Sequence, residues 1–206
     1  MSTSLSPSST GAQNPSEPKG WRFTPLALPD VLLIDAPRFG DARGWFRETY
    51  SQHVFAQHGV DLAFVQDNMS LSASAGTVRG LHYQSEPFAQ AKLVRVLKGS
   101  ILDVAVDIRR GSATFGRHVS AYLSAENGRA LLVPLGFAHG FITREPDTLV
   151  AYKVTSFYAP AHDHGIFWAD PKLGIDWGMD AAKTEAILSA KDQALPLLRE
   201  AHPLFA

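Results

Sequence analysis

Between residues 64 and 155 the chain breaks into short β-type runs cut by glycine, proline, asparagine and aspartate, and helical signals are few. The run ILDVAVD shows the pattern clearly. Leu102, Val104 and Val106 make a wholly apolar face, while Ile101, Asp103, Ala105 and Asp107 put two acids on the other. Just before it, Lys98-Gly99-Ser100 supplies a hairpin turn. Strands are expected over residues 64–72, 77–83, 92–97, 101–107, 118–123, 129–133 and 148–155, with short helices over 51–58 and 193–201. Many short strands at close spacing point to an all-β sandwich or barrel with a few short peripheral helices.

Composition narrows the chemistry. The 206 residues are 45% hydrophobic and carry a net charge of −1, which suits one domain with a sizeable core. Near-neutral charge leaves no electrostatic footprint for nucleic acid or an anionic membrane, so neither is expected as a partner. Without cysteine, thiolate catalysis and disulfides are excluded. No apolar run is long enough to span a bilayer. Residues 1–20 are rich in Ser, Pro, Gly, Asn and Gln and lack the pattern of a signal peptide. They read as a disordered tail ahead of a single domain over 21–206, and the cytoplasm is the default location.

Two blocks carry the fold. Gly128, Pro134, Gly136 and His139 match the second cupin motif, G-x5-P-x-G-x2-H, in which the histidine returns into a barrel mouth. The first motif is half present: Gly76, His82 and the closing Gly99 fit. Gln84 stands at the place of the second histidine and Lys92 at that of the acidic ligand. A divalent cation needs lone pairs on imidazole or carboxylate, and an ammonium offers none. A metal is therefore not expected, nor any other cofactor. An imidazole beside a cation suits removal of a proton next to a carbonyl, with the cation holding the enolate.

Longer blocks extend the comparison. FGDARGWFRETY (39–50), FVQDNMS (64–70), VRGLHYQ (78–84), the run 89–116, the run 123–141, AYKVTSFYAP (151–160) and LSAKD (188–192) resemble, in order, blocks of the dTDP-4-dehydrorhamnose 3,5-epimerase family. The similarity runs from about residue 31 to residue 198. It implies a cupin jelly-roll barrel, a homodimer with exchanged N-terminal strands, and a dTDP-linked 4-keto-6-deoxyhexose substrate on the route to dTDP-L-rhamnose. By the same resemblance His82 is the base, Asp192 its dyad partner, Tyr152 the acid on the opposite sugar face and Lys92 the enolate stabiliser. Arg43, Gln66, Asn68 and Arg79 would hold the diphosphate and nearby groups. Phe39 and Glu48 would reach the neighbouring subunit's site. Lys191, beside Asp192, joins the substrate-binding set. Phe157 departs from the pattern, standing where many members place a tyrosine near the nucleotide base.

Each of these residues also has an ordinary reading. His82 could be a hydrogen-bonded core histidine, Tyr152 a core aromatic, Lys92 a solvated strand lysine, and Arg43 and Arg79 surface arginines. Asp192 directly precedes the apolar-periodic run from Gln193 and reads unaided as a helix cap. A cation near Tyr152, with Lys92 the candidate, would favour phenolate once the proton has been given. His139 is grouped with the substrate-side residues, and with Asp103 it either forms a pair or steadies Lys92. Rival functions are an epimerase of C3 alone or C5 alone, a 3,4-ketoisomerase, a metal-dependent cupin oxygenase and a non-catalytic sugar-nucleotide binding module.

Overall fold

The structure, a computed structural model, describes residues 20–179 and 185–206. The expected tail therefore lies outside the described residues except for Gly20. In chain order the elements are β1 (Arg22–Pro25), β2 (Leu32–Asp35), β3 (Phe39–Asp41), β4 (Gly44–Phe46), α1 (Gln52–Gln57), β5 (Gln66–Ser72), β6 (Val78–Gln84), β7 (Lys92–Lys98) and β8 (Ser100–Asp107). They continue with β9 (His118–Ser124), β10 (Ala130–Val133), β11 (Phe137–Thr143), β12 (Thr148–Val154), a 3-10 turn (Pro160–His162), β13 (Asp163–Gly165) and α2 (Ala190–Gln193).

Two antiparallel sheets face each other, ordered β1-β2-β10-β7-β12-β5 and β13-β6-β11-β8-β9, and β3-β4 form a separate hairpin. Neighbours in the sheets are mostly distant in sequence, as in a jelly roll. The seven expected strand runs all form, their ends moved by one or two residues. The expected turn at Gly99 forms with φ near 77°, and a Cβ there would meet Thr148.

Three apolar clusters result. Leu131, Val133, Val94, Val150, Ile101, Ala105 and Phe141 meet between the sheets. The outer face of the six-stranded sheet packs Ile34, Leu93 and Leu132 under Phe55 of α1, whose Ser51 cap accepts from Val54 N–H. On the outer face of the other sheet, Leu102, Val104 and Val106 pack against Ile166, Trp177 and Leu198 from the C-terminal segment. The wholly apolar face of β8 thus points outward under that segment. Its acid-bearing face points into the barrel, with Asp103 and Asp107 fully buried.

The helix expected over 193–201 does not form. Pro196 lacks an N–H and disfavours helical backbone at Leu195, so α2 ends at Gln193 and turns follow. Asp192 consequently lies within α2, and Ser189 is its N-cap.

A register shift in β6 positions the interior. Arg79 stands opposite Phe141 and His82 opposite His139, with the irregularity between them. Strict alternation would send residues 79 and 82 to opposite faces. The shift puts both inside, while Val78, Leu81 and Tyr83 join the outer cluster. Gly80 permits it, with φ near 123° and a would-be Cβ 2.6 Å from the Gly140 Cα. Gly80→Ala is expected to destabilise the fold by about 3 kcal/mol, a fall of roughly 10 °C in Tm, measurable by calorimetry.

Candidate active site

His82 projects from β6 into the barrel, its side chain 29% exposed, and its Nε2 lies 2.5 Å from Asp192 Oδ1. Asp192 is held from the other side. The Ser189 hydroxyl donates to Oδ2 at 2.9 Å, and Ser189 Oγ accepts the Asp192 N–H at 3.0 Å. One turn of helix therefore aims the carboxylate. Burial works to raise the Asp192 carboxyl, but the hydrogen bonds from His82 and Ser189 and the His82 and Lys191 charges outweigh it, holding it below the usual value.

Lys92 opens β7, on the opposite sheet, and is buried. Its Nζ donates to the His82 carbonyl at 3.2 Å, so the ammonium ties the two sheets at the base residue. Burial pulls its pKa down to about 8, against the raising influence of Asp163 and Asp103. Asp103 and His139 form the expected pair, Nε2 to Oδ1 at 2.6 Å, and both are buried. Asp103 thus pairs with His139 and also acts on the Lys92 charge.

Tyr152 lies on β12 between Asn68 of β5 and Val94 of β7, packed on the inter-sheet cluster. Burial raises its phenol above the ordinary tyrosine value, and the cation opposing this is Arg79 rather than the expected Lys92. At neutral pH the phenol keeps its proton. Arg79 reaches across to Ser72 Oγ and the Leu71 carbonyl. The Gln66 amide donates to Asn68 Oδ1 at 2.8 Å, and its oxygen accepts from Tyr158 N–H.

Phe157 is 65% exposed and Tyr158 57%. Next to Phe157, the Tyr158 hydroxyl donates to Asp163 Oδ2 at 3.0 Å, where Lys191 Nζ also donates at 2.6 Å. Asp163, Tyr158 and Ser189 are the residues that sequence reasoning missed. Ser189 was readable as a capping box ending at Asp192. Asp163 sits in a short edge strand without periodicity and gave no signal.

Among the described residues, no hydrogen bond or ion pair joins Phe39, Arg43 or Glu48 to this cluster. Phe39 stands 60% exposed on the β3-β4 hairpin, Glu48 is exposed, and Arg43 pairs with Asp41 next to it.

The donor set does not fit a cupin metal. Gln84 spends its amide on the Phe88 and Phe157 carbonyls and its oxygen on Ala159 N–H. Lys92 offers no lone pair while charged. What the barrel does offer is a carboxylate-backed imidazole, a buried cation and a protonated phenol in one interior.

Comparison with known proteins gives the family. The family model described as dTDP-4-dehydrorhamnose 3,5-epimerase matches residues 25–200. This chain belongs to that family. A dTDP-4-dehydrorhamnose 3,5-epimerase of Sinorhizobium fredii is 52% identical over 86% of this chain and 90% of its own length. The crystal structure of the Bacillus anthracis enzyme with TDP and PPi bound superposes with TM-score 0.82 at 48% identity, covering 86% of this chain and 99% of that one. The Legionella pneumophila enzyme in complex with dTDP-4-keto-L-rhamnose gives TM-score 0.83 at 41% identity, covering 87% and 94%. The fold is accordingly the cupin-like jelly roll of these epimerases.

Lysine in an unfolded chain titrates near 10.4. Between about 8 and that value the unfolded chain holds the extra proton, so the stability of this protein should rise with pH across the window. Below it, burying the Lys92 charge costs on the order of 3 kcal/mol. Lys92→Met is expected to raise Tm at pH 7, with the advantage shrinking towards pH 10 in thermal melts.

Proposed function

We propose that the protein inverts C3 and C5 of dTDP-4-dehydro-6-deoxy-D-glucose to give dTDP-4-dehydro-L-rhamnose, in the route to dTDP-L-rhamnose. The observation that carries this reading is the His82–Asp192 pair opening into an interior shared with buried Lys92 and protonated Tyr152. The C4 ketone acidifies both neighbouring C–H bonds. With Nε2–H given to Asp192, the lone pair on Nδ1 of His82 takes the proton, and the carboxylate stabilises the imidazolium. Lys92 holds the enolate oxygen, and Tyr152 returns a proton to the opposite face. No electrons are transferred, so no nicotinamide enters.

Arg79, Gln66 and Asn68, half-buried on β6 and β5, suit the diphosphate, with Lys191 and the exposed aromatic pair Phe157 and Tyr158 on the nucleotide side. His139, locked to Asp103, helps to set the surroundings of Lys92, the cation that holds the enolate. Residues 21–206 act as one domain in the cytoplasm. The exposed Phe39, Trp45 and Phe46 on a hairpin detached from both sheets support a homodimer. In it, exchanged N-terminal strands bring Phe39, Arg43 and Glu48 to the partner's site.

Proton NMR in deuterated water tests this reading. Wild-type protein should place deuterium at both C3 and C5 of the dTDP-4-keto sugar, with chelator making no difference. His82→Ala should lose at least about 100-fold in exchange rate. Exchange should also decline as pH rises through about 8, where Lys92 gives up its charge. Near-normal exchange by His82→Ala would refute the assignment, and label at one carbon alone would make the protein a single-centre epimerase.

A further inference from the structure

We infer that Ser85, with His162 and His164, is a positioning clamp that sets where Tyr158 and Asp163 stand beside the barrel opening. This rests on the proposed nucleotide side of the site and deepens it. Ser85 follows β6 directly, three residues after His82, and is buried. Its hydroxyl lies 2.9 Å from His162 Nδ1 and 3.2 Å from His164 Nε2, and its N–H donates to the His162 carbonyl. A hydroxyl has one proton, so between neutral rings it donates to one nitrogen and accepts from the other. The two rings therefore take complementary tautomers through a single oxygen. Burial keeps the His164 imidazole below its ordinary pKa, with His162 and Lys191 adding to this against Asp163.

The rings are also wedged. Phe88 lies 4.8 Å from His162 and Tyr83 5.6 Å from His164, centroid to centroid. Between the two histidines stands Asp163, which accepts from both Tyr158 and Lys191. Gln84 holds the other end of the same segment through the Phe157 carbonyl and Ala159 N–H. The segment 157–164 is thus fixed at both ends by the last residue of β6 and the one after it. A serine with a histidine invites comparison with a hydrolytic nucleophile. At 6% exposure, however, Ser85 gives a substrate no line of attack.

Neither dyad member is bonded to the clamp, since Ser189 and His82 hold Asp192. The clamp meets the chemistry at a distance, through the Asp163 charge on Lys92, so loosening it should weaken nucleotide binding by more than it slows proton transfer. In steady-state exchange kinetics, Ser85→Ala and His162→Ala are expected to raise KM about fivefold with kcat changed by less than about twofold. Titration calorimetry with dTDP should show the same fivefold weakening. His162→Asn, whose amide occupies the place of Nδ1, should restore most of the affinity. A fall in kcat at unchanged KM, no change in either, or failure of His162→Asn to outperform His162→Ala would overturn the clamp. If Ser85→Ala does not fold, the two His162 variants decide alone. Wild-type protein that neither binds dTDP nor exchanges would instead bring down the functional reading, and the clamp with it.

Discussion

The Lys92 ammonium is the point at which fold and chemistry meet. It leaves the six-stranded sheet and ends on the carbonyl of His82 in the other sheet, so one hydrogen bond spans the barrel interior. A buried cation survives only with nearby negative charge and satisfied donors, and Asp103 and Asp163 supply the field. Asp103 is in turn held by His139. The polar groups share this interior with the apolar cluster between the sheets, and both sheets bury further apolar residues on their far faces. The same cation also closes the barrel to the metal chemistry that its topology often carries, because it occupies the position of an anionic ligand.

Around it, the polar side chains of the interior divide into two kinds. Those spent within the protein, Gln84 and Ser85 above all, fasten a segment and have little capacity left for a ligand. Those turned to the interior with capacity in hand, His82 and the Tyr152 phenol, come from different sheets. A ketone between an imidazole and a phenol can lose a carbon-bound proton to one of them and, as the planar enolate, take a proton from the other on the opposite face, which is the requirement of inversion. Asp192 completes the set from the far end of the chain, a separation of 110 residues bridged by one short bond.

The β3-β4 hairpin stands apart from this economy. Its three aromatic residues are all exposed, and Trp45 lies within cation–π range of both Arg38 and Arg47. Both sheets are built without it.

The all-β class, the strand runs, the Gly99 turn and the Ser51 helix cap were legible in the sequence, because each depends on contacts within a few residues. The resemblance named His82, Asp192, Lys92 and Tyr152, yet spacing alone left Asp192 as a cap and Tyr152 as a core aromatic. Local rules also misled in places. Alternation on β8 marked two faces without saying that the acidic one is the interior, and the apolar run after Asp192 suggested a helix that Pro196 forbids. Asp163 was invisible, since its role comes from Lys191 and Tyr158 meeting it in space. The sequence by itself determined the strands, the loss of a metal ligand set at Gln84 and Lys92, and the residue types available for acid–base work. Only the tertiary structure decided which of them share one interior. The register shift at Gly80, the sheet-to-sheet reach of Lys92 and the return of α2 to His82 are long-range contacts that no local pattern encodes.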